Sequence, residues 1–193
     1  MLPAPAAPIA ARRSVLPGEL SLSGFLALLA VVLVLVVVSL PRLRGIALQE
    51  NEADARDTAA YLARALPRFD AGAEPPSVAE VLEVSEHPGG LTDAVLLEEG
   101  EILERHGYLF EVVRLPVEWT LASAALPWST PSAARPPLAV RAWPRRHGST
   151  GATAFVFTSA GGRFAHPNRP ARWAGLEQRA SFPDAGSGWR PVP

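Results

Sequence analysis

The chain has 193 residues, room for one membrane anchor and one modest domain but not for a large enzyme of several domains. Its 18 basic residues, all Arg, nearly balance 19 acids to leave a net charge of -1, which argues against general nucleic-acid binding. With no Cys, disulfides, iron–sulfur clusters, zinc–thiolate sites and Cys nucleophiles are excluded.

Residues 1–19 form a leader carrying Arg12 and Arg13. From Leu20 to Leu40 run 21 uncharged residues, bounded by Glu19 and by Arg42 after Pro41. At about 1.5 Å per residue a helix of that length covers roughly the 30 Å hydrocarbon core of a bilayer. Phe25 to Leu40 holds neither Pro nor Gly and is too apolar for a half-exposed surface helix. A cleaved signal peptide is the rival, with a junction after Val37-Val38-Ser39. The run exceeds a usual signal core and lacks an Ala-x-Ala site, so an uncleaved single span is expected. Charge leaves the orientation open, because Arg12 and Arg13 on one side face Arg42, Arg44 and Arg56 on the other.

Residues 41–68 continue as an amphipathic stalk. Leu48, Ala55, Ala59, Leu62 and Leu66 fall along one helical face, with Glu50, Glu52, Asp54, Asp57 and Arg64 expected on the opposite, solvated side. Pro67 ends the run, and Pro41 and Gly45 are candidate bends. The stripe is expected to pack on the domain that follows, since its Ala-rich positions make a poor coiled-coil seam.

Residues 69–166 read as a small α+β domain. Phe69 to Pro76 is a linker, and Ser77 and Glu80 have the spacing of a capping box before a short helix bearing Val78, Val81 and Leu82. His87-Pro88-Gly89-Gly90 stops that helix. Leu91 to Arg105 is ambiguous. Its glutamates favour helix over most of it, with Gly100 able to split off a short turn. Strands are expected at 108–115, 138–143 and 152–158, the last joined through Ser159-Ala160-Gly161-Gly162 to Arg163–His166 as a hairpin. The Pro-rich residues 116–137 read as an irregular excursion, with one helical turn possible around Leu121 to Leu126. The tail 167–193, rich in Pro, Gly and Arg, is expected to lie extended along the domain or to be partly disordered. The fold expected is therefore α+β, a single N-terminal transmembrane helix continuing into an amphipathic helix packed on a small antiparallel sheet.

Charge is segregated. Residues 42–118 hold 16 acids and 7 Arg, whereas residues 119–193 hold 2 acids and 9 Arg. Complementarity within the domain explains this, and so does head-to-tail contact between copies or homologous subunits.

Gly18 closing an Arg-containing leader, the apolar helix with its late Pro41, the amphipathic continuation and the small sheet together resemble type IV pilins and type II secretion pseudopilins. Pro41 is the 23rd residue counted from Glu19. The segments His106-Gly107-Tyr108-Leu109-Phe110, Arg141-Ala142-Trp143-Pro144 and Phe155-Val156-Phe157 through Arg163 are similar to the sheet modules of pilin-like proteins. The resemblance implies a prepilin-peptidase junction at Gly18 and Glu19, or alternatively at Gly24 and Phe25. Glu19 stands where the family has Phe or Met, and Ser23 occupies the fifth mature position, where the family has Glu. The resemblance further implies a structural subunit in the bacterial inner membrane, single-pass, with its C-terminal domain outside the cytoplasm. Its partners would be the lipid bilayer and homologous pilin-like subunits, with neither nucleic acid nor a small-molecule substrate. The alternative is a single-pass protein whose exported domain binds a protein or glycan.

No catalytic, cofactor-binding or metal-ligating set emerges. His87, His106, His147 and His166 lack close ligand spacing, and His147 reads as part of a solvated loop. Ser159 to Gly162 reads as a turn and not a nucleophile elbow, and the glycines do not open a helix. Glu98, Glu99, Glu101 and Glu104 lack calcium-loop spacing and read as a solvated helix face. No enzyme activity is expected. Trp143 reads as core, while Trp119, Trp128, Trp173 and Trp189 are expected to pin irregular segments onto the domain, or else to meet a partner.

Overall fold

A computed structural model describes residues 22–69, 74–85, 91–116, 138–170, 172–182 and 188–192. Helix α1 (Leu22–Ala65) has Pro41 inside it. Pro41 has no N–H for the carbonyl of Val37, yet the helix continues past it. The chain divides after Arg42 into two compact units, Met1–Arg42 and Leu43–Pro193. In the first, the large apolar side chains stand open, Leu33 at 62% and Val37 at 61% exposure. Helix α1 is long and apolar enough to cross a membrane, with a window of mean hydropathy 2.9 that is wholly unburied.

In the second unit, seven strands form one antiparallel meander in chain order. These are β1 (Val95–Leu97), β2 (Ile102–Arg105), β3 (Tyr108–Arg114), β4 (Leu138–Pro144), β5 (Ala154–Thr158), β6 (Arg163–His166) and β7 (Arg190–Pro191). Each strand pairs with its predecessor, so alternation along β3, β4 and β5 gives the sheet two apolar faces. One face presents Leu103, Tyr108, Phe110, Val112, Val140, Ala142, Phe155 and Phe157 to the stalk part of α1 and to α2 (Val78–Glu83). Ala55, Ala59, Leu62 and Leu66 are at most 1% exposed, as their helical spacing predicts, and Leu48 is half-buried. The short Ala side chains let the helix axis approach the sheet closely. Ser77 and Glu80 complete the capping box, Ser77 Oγ accepting from Glu80 N at 3.2 Å and Glu80 Oε2 accepting from Ser77 N at 2.8 Å.

Residues 95–105 do not form the α-helix that their glutamates favour in an otherwise ambiguous stretch; only Glu98–Gly100 make a single 3-10 turn. They form the β1–β2 hairpin, pairing Leu97 with Ile102 and Val95 with Glu104. Glu98, Glu99 and Gly100 take φ of 47°, 57° and 97°, left-handed values that close the turn and cannot propagate a right-handed helix. Pairing of β2 with the long strand β3 overrides the helix propensity of the glutamates. Gly100 is also required by packing, because a Cβ there would lie 2.9 Å from Ala79 Cβ of α2. The β2–β3 turn is likewise left-handed, His106 at φ 45° and Gly107 at 74°, the two-residue geometry that matches strand twist.

The other face of the sheet is covered by the segment after β6. Trp173 and Ala180 join Ile102, Leu109, Trp143 and Ala154 in one cluster, while Phe182 and Trp189 pack on Leu115, Ala139 and Val156. The described part of 167–192 is thus a third layer of the domain, held by burial and ended by β7. The expected breaker 87–90, the excursion 117–137, Trp119 and Trp128 lie outside the described residues.

Candidate functional site

The polar chemistry of the domain gathers at two places, one on each face of the sheet. The first joins α1 to the turns at one end of the sheet. Glu52 Oε1 accepts from the backbone amides of Ala152 and Thr153 at 2.9 and 3.1 Å, and its Oε2 accepts from Thr153 Oγ1 at 3.0 Å. Asn51 Nδ2 donates to Thr150 O at 3.0 Å. Beneath this contact Tyr108 donates its hydroxyl to Thr153 O at 3.0 Å. Burial pushes the pKa of that hydroxyl upward, the Glu52 charge adds to the rise, and the bond to Thr153 opposes it. Gly151 is required here, because a Cβ would lie 2.0 Å from the Tyr108 oxygen.

One turn further along α1, Arg105 bonds Asp54 at 2.9 Å, Thr58 Oγ1 at 2.7 Å and Asp93 at 3.0 Å. His106 sets Nδ1 3.0 Å from Asp54 Oδ2 and Nε2 against Asp93. The Arg105 bond holds the Asp93 carboxyl below the usual carboxylate range, against a smaller opposing effect of desolvation. Glu52 and Asp54 therefore do not lie on the solvated side of the stalk where the charge pattern places them. At this end of the sheet unpaired loop amides and Arg105 give a carboxylate better partners than water does. Glu50, Asp57 and Arg64 are exposed as expected.

The second place fastens the outer layer. Arg141 and Glu111 face each other in register on β4 and β3, with Arg141 Nε donating to Glu111 Oε2 at 2.8 Å. Arg141 also donates to Ala180 O at 2.7 Å, and Arg179 bridges Glu111 at 2.7 Å and Glu98 at 2.6 Å. Trp143 Nε1 donates to Gly175 O at 2.7 Å. Arg145 pairs with Glu104, whose hydrogen bond raises the guanidinium pKa further. Arg residues of the basic half thus meet glutamates of the acidic half within one domain. Glu98 and Glu104 serve these bonds in a hairpin instead of standing on a solvated helix face.

Of the residues singled out in the sequence, Gly18, Glu19 and His87 lie outside the described residues. Gly24 and Phe25 sit in the first turn of α1, Phe25 at 52% exposure. His166 is buried, its Nδ1 accepting from Asn168 N at 2.7 Å and its ring centroid 4.8 Å from that of Trp173 and 5.4 Å from that of Trp189. His147 is half-buried in the β4–β5 turn, where it bridges to Gly151, and is not a freely solvated loop residue. Among the described residues no group of three or more His, Asp or Glu is arranged to hold a metal. Both assemblies are chemically suited to holding elements together, since each carboxylate in them is occupied by Arg, His or backbone amides. The Arg105–His106 cluster was not anticipated, because its partners Asp54 and Thr58 are 47 positions or more away on α1 and the sequence carries no local signal of that juxtaposition. Compared with family models, curated proteins and solved structures, the chain matches none of them.

Proposed function

We propose that this chain is a pilin-like structural subunit of a type II secretion or type IV pilus-related assembly, with no catalytic role. The observation that supports this most is helix α1 itself: its first part is apolar and open, and its last turns are built into the core of an antiparallel-sheet domain. On this reading Leu20 to Leu40 lies in the bacterial inner membrane, and the domain projects outside the cytoplasm. A prepilin peptidase cuts at Gly18–Glu19 or Gly24–Phe25, and the partners are lipid and homologous subunits. Polar assemblies that only bind elements together suit a rigid subunit, because assembly asks for fixed shape and not for reactive groups. Ser23, in place of an acidic residue near the start of the helix, favours a second reading, a single-pass protein whose exported domain binds a protein or glycan.

N-terminal sequencing of protein purified from native membranes tests the choice. A mature chain beginning at Glu19 or Phe25 supports the pilin-like subunit. A retained Met1 supports the second reading, and release from carbonate-washed membranes of a product lacking the first 39 residues would falsify both.

A further inference from the structure

The two edges of the sheet differ in chemistry. At one, β1 leaves Val95 and Leu96 at 55% and 46% exposure, and the turn after it carries the exposed Glu99 and Glu101. At the other, β7 exposes Arg190 and Pro191, and the neighbouring strand exposes Arg163. Among the described residues none of these four charged groups has an ion-pair partner, in contrast to Glu98, Glu104, Arg145 and Arg179 beside them. Arg163 lies over the Phe157 ring at 5.9 Å.

A sheet edge is a row of unpaired backbone groups that another chain can use unless it is guarded. The β7 edge is guarded against strand addition. Val192 N donates inward to Arg163 O, so the nitrogen of Pro191, one residue earlier, faces outward and carries no hydrogen. Val95-Leu96-Leu97 has no Pro and no charge to guard it. Two β1 edges paired antiparallel about a two-fold axis at Leu96 would set Glu99 of each copy beside the exposed Asp93 of the other, which opposes a symmetric contact. The β7 edge of a second copy offers the opposite charge beside the apolar surface of Pro191 and Val192.

We propose that copies of this chain dock head to tail, the β1 edge of one against the β7 edge of the next. Glu99 and Glu101 meet Arg163 and Arg190, while Val95 and Leu96 pack on Pro191 and Val192. Because the two surfaces differ, the contact propagates into a row or closes into a ring and cannot stop at a symmetric pair. Each contact is small, and confinement of anchored copies to one membrane raises their effective concentration enough for it to act. The inference deepens the structural-subunit reading and rests on it.

The chain has no Cys, so introduced thiols report cleanly. In the full chain reconstituted in liposomes, the double variant Leu96→Cys/Val192→Cys is expected to give a ladder of disulfide-linked multimers on mild oxidation, or one closed size. Neither single variant should give dimers. The two positions lie on opposite edges, six strand spacings or roughly 29 Å apart, beyond the reach of a disulfide within one copy. Adding Glu99→Arg and Glu101→Arg should abolish the ladder, and further adding Arg163→Glu and Arg190→Glu should restore it. Circular dichroism of each variant checks that the sheet is intact. Dimers from Leu96→Cys alone would mean a like-edge contact and overturn the proposal. No linkage in the double variant, with the protein retained in the membrane pellet, would also overturn it while leaving the anchored-subunit reading standing.

Discussion

Leu62 is the side chain on which the union of stalk and sheet depends most directly. It is 0% exposed and belongs to the cluster that includes Tyr108, Phe110, Val140 and Phe155. Leu62→Ala removes three carbons from this core. At about 0.8 kcal/mol for each buried carbon the transfer contribution is roughly 2.4 kcal/mol. The cavity adds to it, because Ala59 and Ala63 beside it are too short to fill the space and the paired sheet cannot collapse inward. The expected loss is about 3 to 4 kcal/mol. The assay is equilibrium urea unfolding of residues 43–193, followed by tryptophan fluorescence, since Trp143 and Trp173 are buried in the same unit. With a slope near 2 kcal/mol per molar urea, the midpoint should fall by about 1.5 to 2 M. Asp57→Ala, on the exposed side of the same helix, serves as the control and should shift stability by under about 0.5 kcal/mol. Equal and small effects of the two changes would refute the argument that burial of this stripe holds helix and sheet together.

Three further outcomes follow from the polar contacts. Glu52→Ala strips the acceptor from two backbone amides and a hydroxyl, and should cost about 2 kcal/mol in the same urea assay. Arg141→Met should cost roughly 2 kcal/mol, less than a fully broken buried pair because Arg179 still neutralises Glu111, and should increase proteolytic cutting within 172–182. For Tyr108 the folded chain keeps the phenol proton to a higher pH than the unfolded chain, whose ordinary value is 10.0. Its contribution is therefore complete below that pH and is lost as pH rises above it, so Tyr108→Phe should flatten the alkaline limb of stability against pH.

The stripe of Leu and Ala, the Ser77–Glu80 cap and the central strands were legible because each is a local pattern whose period or spacing names its structure. Periodicity failed for Glu52 and Asp54 because it assigns every charged position to water. It has no knowledge of amides that come within reach from 100 positions away. The β1–β2 hairpin was hidden for a related reason: Glu98 and Glu99 are good helix formers in isolation, and only the adjacent β3 and the Gly100–Ala79 approach decide against helix. After His166 the abundance of Pro, Gly and Arg suggested loose chain, while the Trp and Phe spaced through it carried the real information. Trp173 and Trp189 stack at 5.5 Å above a sheet face that would otherwise meet water. The junction residues Gly18 and Glu19 come from the resemblance alone and lie outside the described residues.

That outer layer also orders events during biogenesis. Strands β2 to β6 each pair with the strand made just before, so the meander can zip up in chain order. Residues 172–192 emerge after all six of those strands, and until they do Ile102, Leu109, Trp143 and Val156 present a naked apolar surface. A ribosome stalled in this stretch would release a product with strands β1 to β6 paired, β6 lacking its β7 partner, and one apolar side bare, a substrate for chaperones or proteases. Closure of this face is thereby the last event in folding the meander, because the two tryptophans that cover it follow strands β1 to β6 in the chain.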